Sequence, residues 1–330
     1  MVKYRQILEE INMQIWKIQP TYKDYVWGGT KLKERYNVET EKEIVGEVWA
    51  LSCHPDGPNT IMNGEHAGKK LQDVLEDKSL WGTRAQGFER FPILTKLLDA
   101  KQHLSIQVHP DDELGWELEK EYGKTEAWYV LEADEGSFLY YGLNKDMTEE
   151  EFKASIENNT LCDFLNKVPV KKGDTLFVSA GTIHALCAGT VIIEVQQNSN
   201  TTYRIYDHGR VGADGKPREL HVEKSVKASN LNKVVPNTKP AGEPVEKDGA
   251  VVTLIAECKY FVQELYEVKE KAIIPLGEDS FRNLIAVCGN GTLVADGVEY
   301  EIKQGESYFL PAQAGEVTVL GNVEVMVSRV

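Results

Sequence analysis

The strongest constraint on this chain is that part of it occurs twice. KKGDTLFVSAGTIHAL (171–186) aligns without gaps against the stretch from residue 303, KQGESYFLPAQAGEVTV. Each copy reads as a strand, a Gly-acid turn, a second strand and a loop. Each also follows a Gly-containing hairpin, EADEGSFLYYG in the first and CGNGTLVADG in the second. Two related β-units in one chain predict duplicated β-barrels and argue against an α/β sheet. His184 of the first copy falls opposite Glu316 of the second, so any site built with that histidine exists once.

The rest of the chain is consistent with this. Short strand patterns recur in HLSIQV, AWYVLE, DTLFVS, TVIIEV, NLIAVC and EVMVSR. Helical signals are few: residues 3–12, Lys69–Asp77, the run DDELGWELEKEYG after Pro110, and a capping box at Thr148–Glu151. The last predicts a short helical insertion over about 148–166. Residues 226–250 carry three prolines and little apolar periodicity, which predicts a linker. A unit of residues 1–225 would precede it, and a smaller one of 251–330 would follow.

A net charge of −15 over 330 residues disfavours nucleic acid and anionic membrane surfaces as partners. It leaves room for a small phosphorylated ligand held by local cations. The five cysteines are scattered and odd in number, the pattern of reduced thiols in the cytoplasm. The N-terminus has no apolar core of a secretory signal, and no window approaches 18 apolar residues. Neither composition nor pattern separates a monomer from a homodimer.

The chemistry concentrates in a few positions. Alternation along HLSIQVHPDDE puts Ser105, Gln107 and His109 on one strand face, with Ile106 and Val108 on the other. Burying three unsatisfied polar groups costs about 1–3 kcal/mol each, so this face is either wet or a site. Glu126 opens the next strand and His184 sits in a Gly-flanked loop. Two histidines and a carboxylate suit zinc or iron and leave positions open, with Gln107 as a further oxygen ligand. Taken singly, each histidine is more often structural. Lys96, Lys124 and Arg204 stand in otherwise apolar or strand-like runs. Each could be a snorkelling stem, or a cation for an anionic substrate. Arg204 suits a phosphate or enediolate best, because a guanidinium binds such groups in bidentate fashion. No P-loop, GxSxG elbow or HExxH motif is present. Cys187, near His184, reads as a small apolar filler.

Gly173, Gly181 and His184 stand at the spacings of the cupin pattern G-x5-P-x-G-x2-H, with Ser179 in the proline position. The second copy keeps Gly305 and Pro311 but has Gln313 and Glu316 for the Gly and His. The chain also resembles the type I mannose-6-phosphate isomerases, in their short bacterial branch. The resemblance runs through YVWGGTKL (25–32), GEVWALSCHPDG (46–57), PILTKLLDAKQHLSIQVHPDDE (92–113), GKTEAWYVL (123–131) and GTIHALCAGTVIIEVQQNSNTTYRIYDHGR (181–210).

It implies a mainly β fold of two cupin-type jelly-roll barrels with a short helical insertion, the second barrel lacking metal. It also implies one Zn2+ per chain on Gln107, His109, Glu126 and His184, and a catalytic Arg204. The implied reaction interconverts mannose 6-phosphate and fructose 6-phosphate through an enediol. Glu194 and Lys124 are the candidate proton shuttles, and Ser105, Lys96 and Arg204 the candidate substrate contacts. An iron cupin dioxygenase could use the same ligands, but its usual apolar substrates fit three cations poorly. A non-catalytic sugar-binding cupin is the other alternative.

Overall fold

The computed structural model describes residues 13–211 and 215–330; the helix expected at 3–12 lies outside them. Among the described residues, antiparallel strands form four sheets. In the first half, Thr175–Val178, Glu126–Ala133, Thr190–Gln197, Ile93–Ala100, Glu47–Leu51 and Thr21–Lys23 make a six-stranded sheet in that order. Facing it is a five-stranded sheet of Tyr203–Tyr206, Ile106–Val108, His184–Ala185, Phe138–Leu143 and Leu165–Pro169. The second half pairs an eight-stranded with a four-stranded sheet.

The repeat seen in the sequence is geometric. Thr175–Val178 pairs antiparallel with the strand that begins at Glu126, and its counterpart Ser307–Leu310 pairs in the same way with Arg282–Gly289. Both Gly-acid turns need a positive φ, at Gly173 (92°) and Gly305 (89°), which glycine adopts without steric cost. His184 and Glu316 each begin a strand.

The units are more entwined than the sequence division implies. Trp16–Gln19 pairs with Ser307–Leu310, and Thr60–Ile61 pairs with Trp16–Gln19, so two strands from before residue 62 complete the C-terminal sheet. Trp16 and Phe309 stack at 5.7 Å there, giving the transfer a hydrophobic reason. Between the barrels, Val48, Leu97, Tyr129 and Ile193 pack with Leu265, Ile285, Val287 and Met326 in one buried cluster.

The segment read as a linker begins as a strap over the first barrel and ends as the strand Val245–Lys247 at the edge of the C-terminal sheet. Its first residues finish the helix Val222–Ala228, and Asn230 and Val234 then bond to the Gly181 and Leu143 carbonyls. Its prolines bar helix, while extended backbone still offers hydrogen bonds.

Helices are short. Thr148 and Glu151 form the expected capping box, and the helix runs Glu149–Glu157. Asp111 caps Asp112–Glu119 through the Leu114 amide, and that helix ends on Lys120 in the left-handed conformation. At Gly123 a Cβ would lie 2.5 Å from the Asp111 backbone, so close packing explains that glycine. Only Leu71–Val74 of the 69–77 expectation is α-helical. Among the described residues no helix is long and apolar enough to cross a membrane.

Candidate active site

Strand register builds the site as two facing rows. Across the six-stranded sheet, Trp49 lies opposite Lys96, Lys96 opposite Glu194, and Glu194 opposite Trp128. Directly opposed residues share a face, so these side chains line one wall. Across the five-stranded sheet, Arg204 lies opposite Gln107 and Gln107 opposite His184. The outward neighbours Ile106, Val108 and Ile205 enter a separate apolar cluster, which fixes the register. Between the walls is a cleft of about 270 Å³, lined by Lys96, Ser105, Gln107, Lys124, Glu194 and Arg204, all expected from the sequence.

Against Gln107 and Lys124 of that lining, His109, Glu126 and His184 converge, fully buried, with one ligand atom from each lying within 4.8 Å of the others. His109 Nδ1 is 2.9 Å from the Thr201 carbonyl and His184 Nδ1 is 2.8 Å from that of Thr182. Each Nδ1–H therefore donates outward and leaves Nε2 as a lone-pair donor facing Glu126, at 3.5 and 3.3 Å. Glu126 Oε1 is buried without a hydrogen-bond partner among the described residues, and Oε2 meets the Lys124 ammonium at 2.9 Å. Leaving such an atom as Oε1 unpaired is costly, and a cation would satisfy it.

The charges agree. Burial holds His184 down to about 4, and burial and then the Lys124 ammonium hold His109 well below its ordinary value. Both rings are thus neutral and able to ligate. Burial, followed by repulsion from Glu194, pushes Glu126 up to about 7 in the absence of a cation. The set fits a metal ion. Gln107 Nε2 is 3.5 Å from His184 Nε2, which places its amide at the edge of the same group.

Two carboxylates flank Lys96: Glu194, a candidate from the sequence, and Glu47, which the sequence did not separate from its surroundings. Glu47 Oε2 and Glu194 Oε1 each stand 3.6 Å from its Nζ. Each carboxylate is anchored by an indole: Trp49 Nε1 donates to Glu47 at 2.6 Å and Trp128 Nε1 to Glu194 at 2.8 Å. Burial alone would raise Glu194, but Lys124 and Lys96 outweigh it and hold it below the usual range. Lys124 Nζ lies 2.9 Å from Glu126 Oε2 and 3.1 Å from His109 Nε2.

The far end of the cleft is cationic. Arg204 donates to the Glu219 carbonyl at 2.9 Å, and its Nε is buried without a partner among the described residues. Arg218, which also lines the cleft, is held in bidentate fashion by Asp207. Neither Glu47 nor Arg218 was expected. Glu47 had a readable signal, an acid inside the apolar strand EVWAL. Arg218, in a loop, had none. His54, His66, His103, His208 and His221 do not join the His109–Glu126–His184 group. Cys187 is fully buried, and burial pushes its thiol up to about 12, as suits a filler.

Comparison with known proteins now decides the family. Residues 15–140 match phosphomannose isomerase type I, catalytic domain, and residues 251–330 match mannose-6-phosphate isomerase, cupin domain. The mannose-6-phosphate isomerase of Bacillus subtilis is 35% identical over 314 residues, 94% of this chain and 97% of that protein. This chain belongs to the type I mannose-6-phosphate isomerases. The enzyme of Streptococcus mutans is 34% identical, over 92% of this chain and 94% of its own length. A crystal structure of the Bacillus subtilis isomerase superposes with a TM-score of 0.89 at 34% identity, covering 96% of this chain and 99% of that one. A solved mannose 6-phosphate isomerase bound with zinc and yttrium shares the fold, at a TM-score of 0.72 and 20% identity, covering 95% of this chain and 98% of that one.

Proposed function

We propose that this mannose-6-phosphate isomerase works with one zinc ion held by His109, Glu126 and His184, with Gln107 as a fourth ligand. The observation that carries the reading is the buried Glu126 carboxylate, its Oε1 unpartnered and its Oε2 on the Lys124 ammonium, between two inward-facing imidazole nitrogens. Zinc is also named in a solved isomerase of the same fold. Zinc bound there supplies Lewis acidity toward the sugar oxygens at C1 and C2, stabilising negative charge that develops in the enediol.

The protein's own residues do the rest. Arg204 has unfilled donors toward the cleft, and Arg218 stands beside it on Asp207. Together they form the end that takes the phosphate, with Ser105 adding a hydroxyl to the cleft wall. That orientation sends the open sugar chain toward the metal ligands. Lys124, in contact with Glu126 and His109, is placed to hold or move the proton that passes between C1 and C2. Ionised Glu194 is the other group that could carry it. Both are buried, which excludes bulk water from the transfer. A cytoplasmic location agrees with five unpaired thiols.

The test is solvent exchange. With mannose 6-phosphate in deuterated water, the metal-loaded wild type should incorporate label at the migrating position, and Lys124→Met should lose both exchange and turnover. Full exchange in that variant would move the proton to Glu194. An iron-loaded protein that consumes oxygen and makes no fructose 6-phosphate would overturn the isomerase mechanism.

A further inference from the structure

Of the Glu47–Lys96–Glu194 cluster the mechanism above uses only Glu194, as the alternative proton carrier, and the geometry of the cluster is incomplete in a particular way. Lys96 is 3% exposed, and both neighbouring carboxylate oxygens stand 3.6 Å from its Nζ. That is beyond the roughly 2.7–3.2 Å of an ordinary N–H···O bond. Glu194 Oε1 is buried without a hydrogen-bond partner among the described residues, although its other oxygen is filled by Trp128. A donor and an acceptor thus lie side by side on the cleft wall, 3.6 Å apart, with Glu194 Oε1 unfilled. Lys96 and Glu194 are opposite one another in strand register, so their spacing is set by the sheet.

The sequence grouped Lys96 with the anion contacts. The structure directs it elsewhere. With Glu47 and Glu194 on either side, the three groups together carry a net charge of −1, which repels a phosphate dianion. A neutral hydroxyl is the chemistry that suits the pair, since it accepts from an ammonium and donates to a carboxylate at once.

We propose that Lys96 and Glu194 form a subsite that reads one hydroxyl of the substrate's sugar chain, with Glu47 as the positioning residue that fixes Lys96. The hydroxyl is one of those between the reacting carbons and the phosphate, at C3, C4 or C5. Glu47 acts through two contacts: its carboxylate faces the ammonium and is pinned by the Trp49 indole, whose ring lies 5.0 Å from Lys96 Nζ. This rests on the substrate orientation given above, phosphate at the arginines and C1–C2 at the metal ligands.

The experiment compares zinc-loaded wild type, Glu47→Gln, Glu47→Asp and Lys96→Met on mannose 6-phosphate and on its monodeoxy analogues at C3 and C4. A charge-assisted hydrogen bond lost from a buried site corresponds to a ten- to hundredfold change, on the order of 1.5–3 kcal/mol. Lys96→Met and Glu47→Gln should lower kcat/KM on the full substrate by such a factor, mostly through KM. Glu47→Asp should recover part of the loss. Metal content should stay at the wild-type value in all three variants. On the analogue that lacks the hydroxyl being read, wild type should already be weakened and the variants should cost little more. Equal losses on every substrate would overturn the subsite, as would variants indistinguishable from wild type. If both C3 and C4 analogues behave like the full substrate, the C5 hydroxyl remains; a matching C5-deoxy analogue then completes the series, and additivity there overturns the proposal. Absence of isomerase activity in the wild type would instead remove the substrate reading itself, so the two failures are distinguishable.

Discussion

The two barrels are the same construction with opposite interiors. In the first, the row across the sheet reads Trp49, Lys96, Glu194, Trp128. In the second, the matching row reads Leu254, Glu264, Val327, Leu284. Val178 lies opposite Glu126 in the first, and Leu310 lies opposite Arg282 in the second. His184 is fully buried, whereas Glu316 at the same repeat position is exposed. The second lumen is instead filled by Leu284, Ala286, Leu293, Val317, Val319, Val325 and Val327. A common backbone therefore decides neither outcome. The first barrel gives up apolar packing to hold charged groups around a cleft, and the second gains a closed apolar core.

This contrast can be broken at several points. Replacing a ligand should have the largest effect: His184→Ala should remove the bound metal and lower kcat/KM by about a thousandfold or more, the scale of several kcal/mol of lost charge stabilisation. Metal analysis beside a coupled fructose 6-phosphate assay checks both. Arg204→Ala should retain the metal and the fold but lose roughly a hundredfold in kcat/KM, as expected when a charged hydrogen-bond partner of the substrate is removed. In the second barrel the effects should move from activity to stability. Leu284→Ala should cost about 2–5 kcal/mol in denaturant unfolding, yet leave turnover per folded, metal-loaded molecule unchanged. The smallest effect is expected at the degenerate position itself. Glu316→His should leave metal at one ion per chain and shift stability by no more than about 0.5 kcal/mol, because its side chain is exposed and Arg282 occupies the place of the acidic ligand. A second bound ion in that variant would show that the barrel's geometry alone suffices.

How much could be read from the chain follows from the same contrast. The repeat was legible because Gly173 and Gly305 each meet a backbone demand that glycine meets most readily. The candidate ligand set was legible because polar residues at alternate strand positions conflict with a buried face, as at Gln107 and His109. Glu47 was harder to see: its partners Lys96 and Trp49 are distant or ambiguous in sequence, and register alone brings them together. Arg218 could not be seen, since its place depends on a loop and on Asp207. The exchange of Trp16–Gln19 into the C-terminal sheet was also hidden, because strand pattern says which face is apolar but not which sheet will take it.

The central claim is that a single metal in the first barrel runs the isomerisation. Thorough chelation followed by stepwise return of zinc, with fructose 6-phosphate formation followed at each step, tests it most directly. Activity should fall to background and return in proportion to zinc, saturating at one ion per chain. Turnover that survives chelation, or that requires a second ion, would contradict it.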